Sequence, residues 1–147
     1  DFDANSVSYI FDNGAHSVIF LGDTIYNDGY KAVGDRNKID VAIMNMGHNA
    51  PGATDKMNPW DAFRVTQNLG AKLVIPDHYE NWASSAISPQ FLVDIVKAND
   101  PSIKTVIMKH GGLFVYPKDQ DIGEYRYPDW RERYNWEKSF VYGKMKK

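Results

Sequence analysis

The sequence predicts an α/β fold in which helices cover one face of a mixed sheet. The first observation is a set of apolar runs that are too short for helices and are typical of buried strands. They lie at residues 17–21, 39–44, 73–76 and 105–108. The second observation is a pair of longer segments, residues 59–69 and 89–99, whose apolar residues recur with helical spacing. Parallel strands need crossovers, which the two helices would supply, and the opposite sheet face needs another cover.

The chain opens with a predicted β-hairpin. Residues 7–11 and 17–21 are apolar runs separated by a segment that contains Asn13 and Gly14. Asn-Gly favours a tight hairpin turn because both residues tolerate positive φ. The segment at residues 26–30, which precedes the next strand, is predicted to be a loop.

Both predicted helices are marked by their ends and by an apolar stripe. Asn58 followed by Pro59 is typical of a capped helix start, and Gly70 is typical of a helix end. The inward-facing residues of this helix are expected to be Ala62, Phe63, Thr66 and Leu69. The second helix follows Ser88 and Pro89. Its expected apolar stripe is Phe91, Leu92, Ile95 and Val96.

The last part of the chain is predicted to hold a second hairpin and then a tail. The hairpin joins residues 105–108 to residues 113–116 through two glycines. Residues 117–147 are rich in aromatic side chains and have no clear period. Some of these aromatic residues are expected to cover the helix-free face of the sheet, namely Trp130, Tyr134, Trp136 and Phe140. Residues 1–147 are predicted to be a single, partial domain.

Composition excludes several classes of function. A net charge of -2 gives no electrostatic reason to bind nucleic acid or an acidic membrane surface. No apolar run approaches the roughly 20 residues that cross a bilayer. The absence of cysteine excludes disulfides, thiolate zinc sites and cysteine nucleophiles, and it fits a cytoplasmic protein.

Three predicted strands end in polar residues. Asp23 follows residues 17–21, Asn45 ends the next strand, and Asp77-His78 follows residues 73–76. Alone, Asp23 would suit a turn that satisfies backbone N–H groups, and His78 would suit a half-buried structural histidine. Together they favour a shared site, because parallel strands end at one edge of a sheet. Aspartate and histidine are also ligands for divalent metal ions.

Three segments carry a resemblance to a known family: residues 22–24 (Gly-Asp-Thr), 54–62 (Thr-Asp-Lys-Met-Asn-Pro-Trp-Asp-Ala) and 74–79 (Val-Ile-Pro-Asp-His-Tyr). In this order they resemble the C-terminal half of the metallo-β-lactamase fold, in particular the lactonase branch that includes the L-ascorbate-6-phosphate lactonases. The likeness extends from about Ser6 to the mid-120s. It implies an αββα sandwich of which this chain is one half.

The resemblance also implies a metal centre. Asp23 would bridge two divalent ions, Mn²⁺ or Zn²⁺, and His78 would bind one of them. The other ligands of such enzymes lie in a His-x-His-x-Asp-His cluster in the N-terminal half, and this sequence has no such cluster. We therefore expect the N-terminal half of the same enzyme as a partner, and a homo-oligomer. Alone, the chain is expected to bind metal poorly and to be inactive, since catalytic metal sites generally use three protein ligands.

The expected activity is hydrolysis of a sugar-acid lactone by metal-activated water. Asn49, Asp55 and Lys56 are candidates for binding a small anionic substrate, Lys56 through its charge. Asn49 equally suits a loop turn, and the two adjacent charges equally suit a solvated pair. The alternative function is a self-standing α/β binding or regulatory module. Asp23, Asp77 and Lys109 would then hold one Mg²⁺ ion or a phosphate.

Overall fold

A computed structural model of the chain describes residues 6–49, 52, 54–108 and 112–121. These residues form five strands and three helices in an alternating order. The elements are β1 (Tyr9–Asp12), β2 (Ser17–Phe20), α1 (Gly29–Arg36), β3 (Val41–Asn45), α2 (Pro59–Leu69), β4 (Leu73–Asp77), α3 (Gln90–Asn99) and β5 (Lys104–Thr105). The predicted α/β class with a mixed sheet is confirmed.

The sheet follows chain order, β1-β2-β3-β4-β5. The first hairpin is antiparallel, whereas β2, β3, β4 and β5 pair in parallel. Each parallel connection passes through one helix, as parallel pairing requires. The C-terminal ends of β2, β3 and β4 consequently lie along one edge of the sheet, with β3 between the other two.

The two sheet faces differ in their cover. The helical face holds the main core, in which Met44 and Val74 pack with buried residues of all three helices. The other face carries a smaller apolar cluster centred on Val41, Leu73 and Ile75. An open groove of about 870 Å³ lies along this second face. The aromatic residues expected to cover it lie outside the described residues.

Helix α1 corrects the prediction of a loop at residues 26–30. Its sequence has weak apolar periodicity, and Tyr30 is the one residue of the helix that is buried. Gly29 and Gly34 lie within it, and glycine lowers helix propensity by about 1 kcal/mol. Packing against α2 therefore decides the helix, and local sequence preference does not.

Three further predictions were wrong in detail. The last strand, expected at residues 105–108, is the short Lys104–Thr105. Residues 113–116, the predicted second arm of the second hairpin, form no strand, while its two-glycine turn lies partly outside the described residues. Phe91 is 53% exposed and Val93 is buried, so the apolar face of α3 is rotated from the predicted stripe.

The first hairpin is confirmed, but its turn uses different chemistry. Gly14 has φ of 83°, whereas Asn13 is not among the residues with positive φ. The Asn13 side chain instead accepts hydrogen bonds from the N–H groups of Ala15 and His16. This is the local side-chain turn that asparagine favours.

Both ends of α2 are as predicted. The Asn58 side chain accepts a hydrogen bond from the Asp61 N–H, and Gly70 ends the helix with φ of 63°. No helix within the described ranges is long and apolar enough to cross a membrane.

Candidate metal centre

Asp23 and His78 both lie at the strand-end edge of the sheet. Leu21 extends the pairing of β2 by donating to the Ile43 carbonyl, and Gly22 then turns the chain with φ of 67°. His78 follows β4 directly and has φ of 59°. Such a conformation is uncommon outside glycine, although histidine adopts it more often than most residues. Backbone strain of this kind clusters at functional sites.

The two side chains meet although 55 positions separate them in sequence. His78 Nδ1 lies 2.7 Å from Asp23 Oδ1. The His78 side chain is 28% exposed and that of Asp23 is 50% exposed, so the pair is partly accessible to solvent. On its other side, His78 Nε2 lies 3.8 Å from Asp77 Oδ2. The imidazole is therefore flanked by two carboxylates.

Lys56 adds a positive charge to this pair. Its Nζ lies 3.3 Å from Asp23 Oδ1 and 3.9 Å from Asp55 Oδ2, and only 6% of its side chain is exposed. Burial alone would raise the pKa of Asp23. The hydrogen bond with His78 and the charge and hydrogen bond of Lys56 outweigh burial and hold the pKa of Asp23 below its ordinary value.

Asn45 ties together the two loops that carry these charges. It ends β3 and is 2% exposed. Its Nδ2 donates to the carbonyl of Thr24, next to Asp23, and to the carbonyl of Asp55, next to Lys56. A central-strand amide therefore sets the separation between the Asp23 turn and the Lys56 segment.

Asn49 and Tyr30 support the site from outside. Asn49 Nδ2 donates to the Lys56 carbonyl, and its Oδ1 accepts from the N–H groups of Asp55 and Lys56, all at 3.0 Å. The hydroxyl of Tyr30 on α1 lies 2.9 Å from Thr24 Oγ1. Asn49 thus holds the loop that was expected to bind substrate, and α1 helps to fix the Asp23 turn.

The donor set fits part of a metal centre. The carboxylate oxygen of Asp23 and the imidazole nitrogen of His78, 2.7 Å apart, are ligand types that Zn²⁺ and Mn²⁺ accept. However, no group of three or more His, Cys, Asp or Glu side chains suited to a metal ion occurs among the residues described. Asp23 and His78 would therefore supply two ligands, fewer than the three protein ligands that catalytic metal sites generally use.

The structure brings together four of the five predicted site residues: Asp23, His78, Asp55 and Lys56. The fifth, Asn49, contacts the backbone of Asp55 and Lys56. Sequence analysis missed the burial of Lys56 and the link that Asn45 makes between loops. Asn45 was visible as a polar end of an apolar strand, whereas nothing local in the sequence marks Lys56 as buried.

Comparison with known proteins gives relatives that match most of this chain. It is 37% identical over 130 residues to a probable L-ascorbate-6-phosphate lactonase UlaG of Shigella flexneri, covering 86% of this chain and 37% of that protein. The corresponding proteins of Salmonella gallinarum and Escherichia coli O139:H28 are 33% and 35% identical, with the same coverage. The chain thus spans little more than a third of their length. No protein-family model matches it.

Solved structures share the fold at low sequence identity. An isothiocyanate hydrolase from Delia radicum gut bacteria has a TM-score of 0.62 at 17% identity, covering 74% of this chain and 43% of that one. Igni18, a metallo hydrolase of Ignicoccus hospitalis, has a TM-score of 0.57 at 22% identity, covering 67% and 40%. The metallo-β-lactamase fold protein YhfI of Bacillus subtilis has a TM-score of 0.53 at 18% identity, covering 69% and 40%.

Proposed function

We propose that this chain, which has the fold of metallo-β-lactamase hydrolases and is similar in sequence to L-ascorbate-6-phosphate lactonases, is the C-terminal part of a metal-dependent lactonase. The observation that carries the proposal is the 2.7 Å contact between Asp23 and His78 at the ends of two parallel strands. The two residues are 55 positions apart in sequence, and the positive φ of His78 is of the kind found at functional sites, so the contact supports a shared task.

Asp23 and His78 would hold divalent ions, two when the centre is complete. Bound ions of this kind lower the pKa of a coordinated water and polarise a carbonyl oxygen. The residues of this chain supply orientation. Asp77 Oδ1 accepts a hydrogen bond from the backbone N–H of His78, and Asp77 Oδ2 lies beside the imidazole ring. Asn45 donates to the carbonyl of Thr24 and so fixes the turn that carries Asp23. Whether the ions are Mn²⁺ or Zn²⁺ depends on the ligands contributed by the rest of the protein.

The proposed substrate class is the one named for the relatives, a sugar-acid lactone such as L-ascorbate 6-phosphate. The charge of Lys56 together with that of the bound ions would offset the nearby carboxylates and favour a small anionic molecule. Asp55 lies at the rim with half of its side chain exposed, where it would face a substrate hydroxyl. Asn49 would act indirectly by fixing the backbone of both residues.

The helix-free sheet face is the proposed surface for the N-terminal part of the enzyme. Its groove is lined mainly by apolar side chains, among them Ile10, Phe11 and Ile75. Phe11 is 64% exposed and Ile10 is 39% exposed in the chain by itself. A second sheet packed there would bury this surface and bring the missing ligands to the strand-end edge. We also propose that the complete enzyme is a cytoplasmic homo-oligomer.

A chimera tests the proposal. In the relative from Shigella flexneri, the matching 130 residues are replaced by those of this chain, and hydrolysis of L-ascorbate 6-phosphate and metal content are measured. In this chimera, the substitutions Asp23→Asn and His78→Ala should each lower activity at least about 100-fold and reduce the amount of bound metal. Asp35→Asn, an exposed carboxylate on α1, is the matched control and should have no effect. Equal activity in all four proteins would overturn the proposal.

The alternative, a self-standing module that binds one Mg²⁺ ion or a phosphate through Asp23, Asp77 and Lys109, predicts a different result. The chain alone would then bind Mg²⁺ or inorganic phosphate without any partner. Asp23 and Asp77 both contact His78, which is not a preferred ligand of Mg²⁺. Lys109 lies outside the described residues. The site geometry therefore favours the hydrolase.

A further inference from the structure

Lys56 is buried to an extent that is unusual for a lysine. Its side chain is 6% exposed, and lysine is rarely buried unless it is paired. The aliphatic stem passes directly over Gly47, where an added Cβ would lie 2.7 Å from Lys56 Cδ and 2.8 Å from the Ser85 carbonyl oxygen. A glycine at position 47 therefore leaves the space that the lysine stem occupies.

The backbone of Lys56 is held as firmly as its stem. Asn49 bonds both to its N–H and to its carbonyl, each at 3.0 Å. Asn45 bonds the preceding carbonyl and links it to the turn that carries Asp23. Met57, the next residue, is fully buried and bridges to Met46. Together, these contacts restrict the position of the Lys56 ammonium group.

The ammonium points at the site and away from solvent. It lies 3.3 Å from Asp23 Oδ1, the same oxygen that lies 2.7 Å from His78 Nδ1. Asp23 Oδ1 therefore has a fixed positive charge on one side and the imidazole on the other. A divalent ion that binds this oxygen arrives within a few ångströms of a charge of its own sign.

We propose that Lys56 is a positioning residue that occupies the site with its own positive charge. Its ammonium fixes the orientation of the Asp23 carboxylate and lowers the affinity of that carboxylate for metal ions. This inference rests on the proposed function in one respect, that Asp23 is a metal ligand. Removing the charge of Lys56 should release the carboxylate and remove a repulsion. The metal-free chain should then be less stable, yet it should bind metal more tightly.

The opposite signs of these two effects separate the proposal from a purely structural role. If Lys56 only supported the fold, its replacement would lower both stability and metal binding. A unit charge about 4 Å away contributes about 1 kcal/mol even at the dielectric constant of water, which corresponds to about fivefold in affinity. We therefore expect Mn²⁺ to bind the chimera that carries Lys56→Met at least about fivefold more tightly than the unaltered chimera.

The experiment uses the chimera defined above, because the part of this chain that the structure describes supplies only two ligands; it titrates the chimera with Mn²⁺ and follows the free ion by electron paramagnetic resonance. Urea unfolding in a chelator gives the metal-free stability of each variant. Lys56→Met keeps the length of the stem, and Lys56→Gln is a second neutral variant that retains a hydrogen-bond donor and serves if the first does not fold. Lys31→Met is the matched control, because Lys31 is exposed and pairs with Asp35 on α1. Asp23→Asn tests whether the measured binding belongs to this site.

Each outcome has one meaning. Tighter Mn²⁺ binding in the neutral Lys56 variants, lost when Asp23→Asn is added, supports the proposal. Binding that is unchanged or weaker in both neutral variants, but is lost in Asp23→Asn, overturns the role of Lys56 and leaves the metal centre intact. No binding at Asp23 in any variant overturns both the role of Lys56 and the proposed contribution of this chain to a metal centre.

Discussion

Gly34→Ala in α1 should destabilise the protein, although alanine is the better helix former. Helix propensity alone predicts a gain of about 1 kcal/mol in the free energy of unfolding. However, a Cβ at position 34 would lie 2.4 Å from the Asn68 carbonyl oxygen and 2.8 Å from Cα and the carbonyl carbon of Leu69. These are backbone atoms of α2 and its last turn, so they have no rotamer by which to move away.

The magnitude follows from the overlap. The two helices must separate by at least about 0.6 Å to bring the shortest contact to 3.0 Å, the lower limit for real Cβ contacts. Overpacking of this kind costs about 1–3 kcal/mol, and the upper end applies because backbone atoms are the obstacle. After the propensity gain, the net loss is about 2 kcal/mol. That loss lowers the melting temperature by about 4–8 °C for a chain of this size.

Urea unfolding followed by far-ultraviolet circular dichroism measures this difference. Ala32→Gly is the matched control, because Ala32 is exposed on the same helix and should lose only the propensity of about 1 kcal/mol. If Gly34→Ala proved as stable as the unchanged protein or more so, the close contact between α1 and α2 would be wrong. The tertiary explanation for α1 would then fail as well.

Three further predictions concern buried charge, helix capping and metal. Asp40 is nearly fully buried, and although burial raises its pKa, the Ser17 N–H and the nearby lysines hold that pKa below its ordinary value. Because the folded-state pKa is the lower one, Asp40→Asn should cost about 1–2 kcal/mol at pH 7, and this difference should begin to shrink as the pH falls below about 4 and disappear only below the folded-state pKa. The charged or titratable groups facing Asp40 are His16, Lys38 and Lys72. Urea unfolding as a function of pH measures the difference in stability, and repeating it with His16→Gln separates the titration of His16 from that of Asp40. A difference in stability that does not change with pH contradicts the assignment to Asp40. Asn58→Ala should cost about 1 kcal/mol of unfolding free energy through loss of the bond to the Asp61 N–H, and no loss in urea unfolding would argue against the cap. The chain alone should retain much less than one Mn²⁺ or Zn²⁺ ion after desalting, and stoichiometric retention in elemental analysis would refute the incomplete ligand set.

Local sequence patterns account for most of the sheet and for two of the three helices. The β2, β3 and β4 strands are short and mainly apolar; β3 and β4 are buried along most of their length, whereas β2 alternates buried and half-buried residues. The ends of α2 follow from Asn58 and Gly70, whose preferences act within a single turn of helix. Helix α1 and the rotated face of α3 escaped prediction because packing against neighbouring elements decides them.

The sequence by itself determined which polar residues would stand at the ends of the strands. Alternating elements impose parallel pairing, and parallel pairing brings Asp23, Asn45 and His78 to one edge. Only the tertiary structure decided that Lys56 is buried against Asp23, 33 positions away, and that His78 bends back with positive φ. The physical reason is range: strand and cap preferences arise from neighbouring residues. The position of a side chain on a loop depends on contacts that exist only once the sheet has formed.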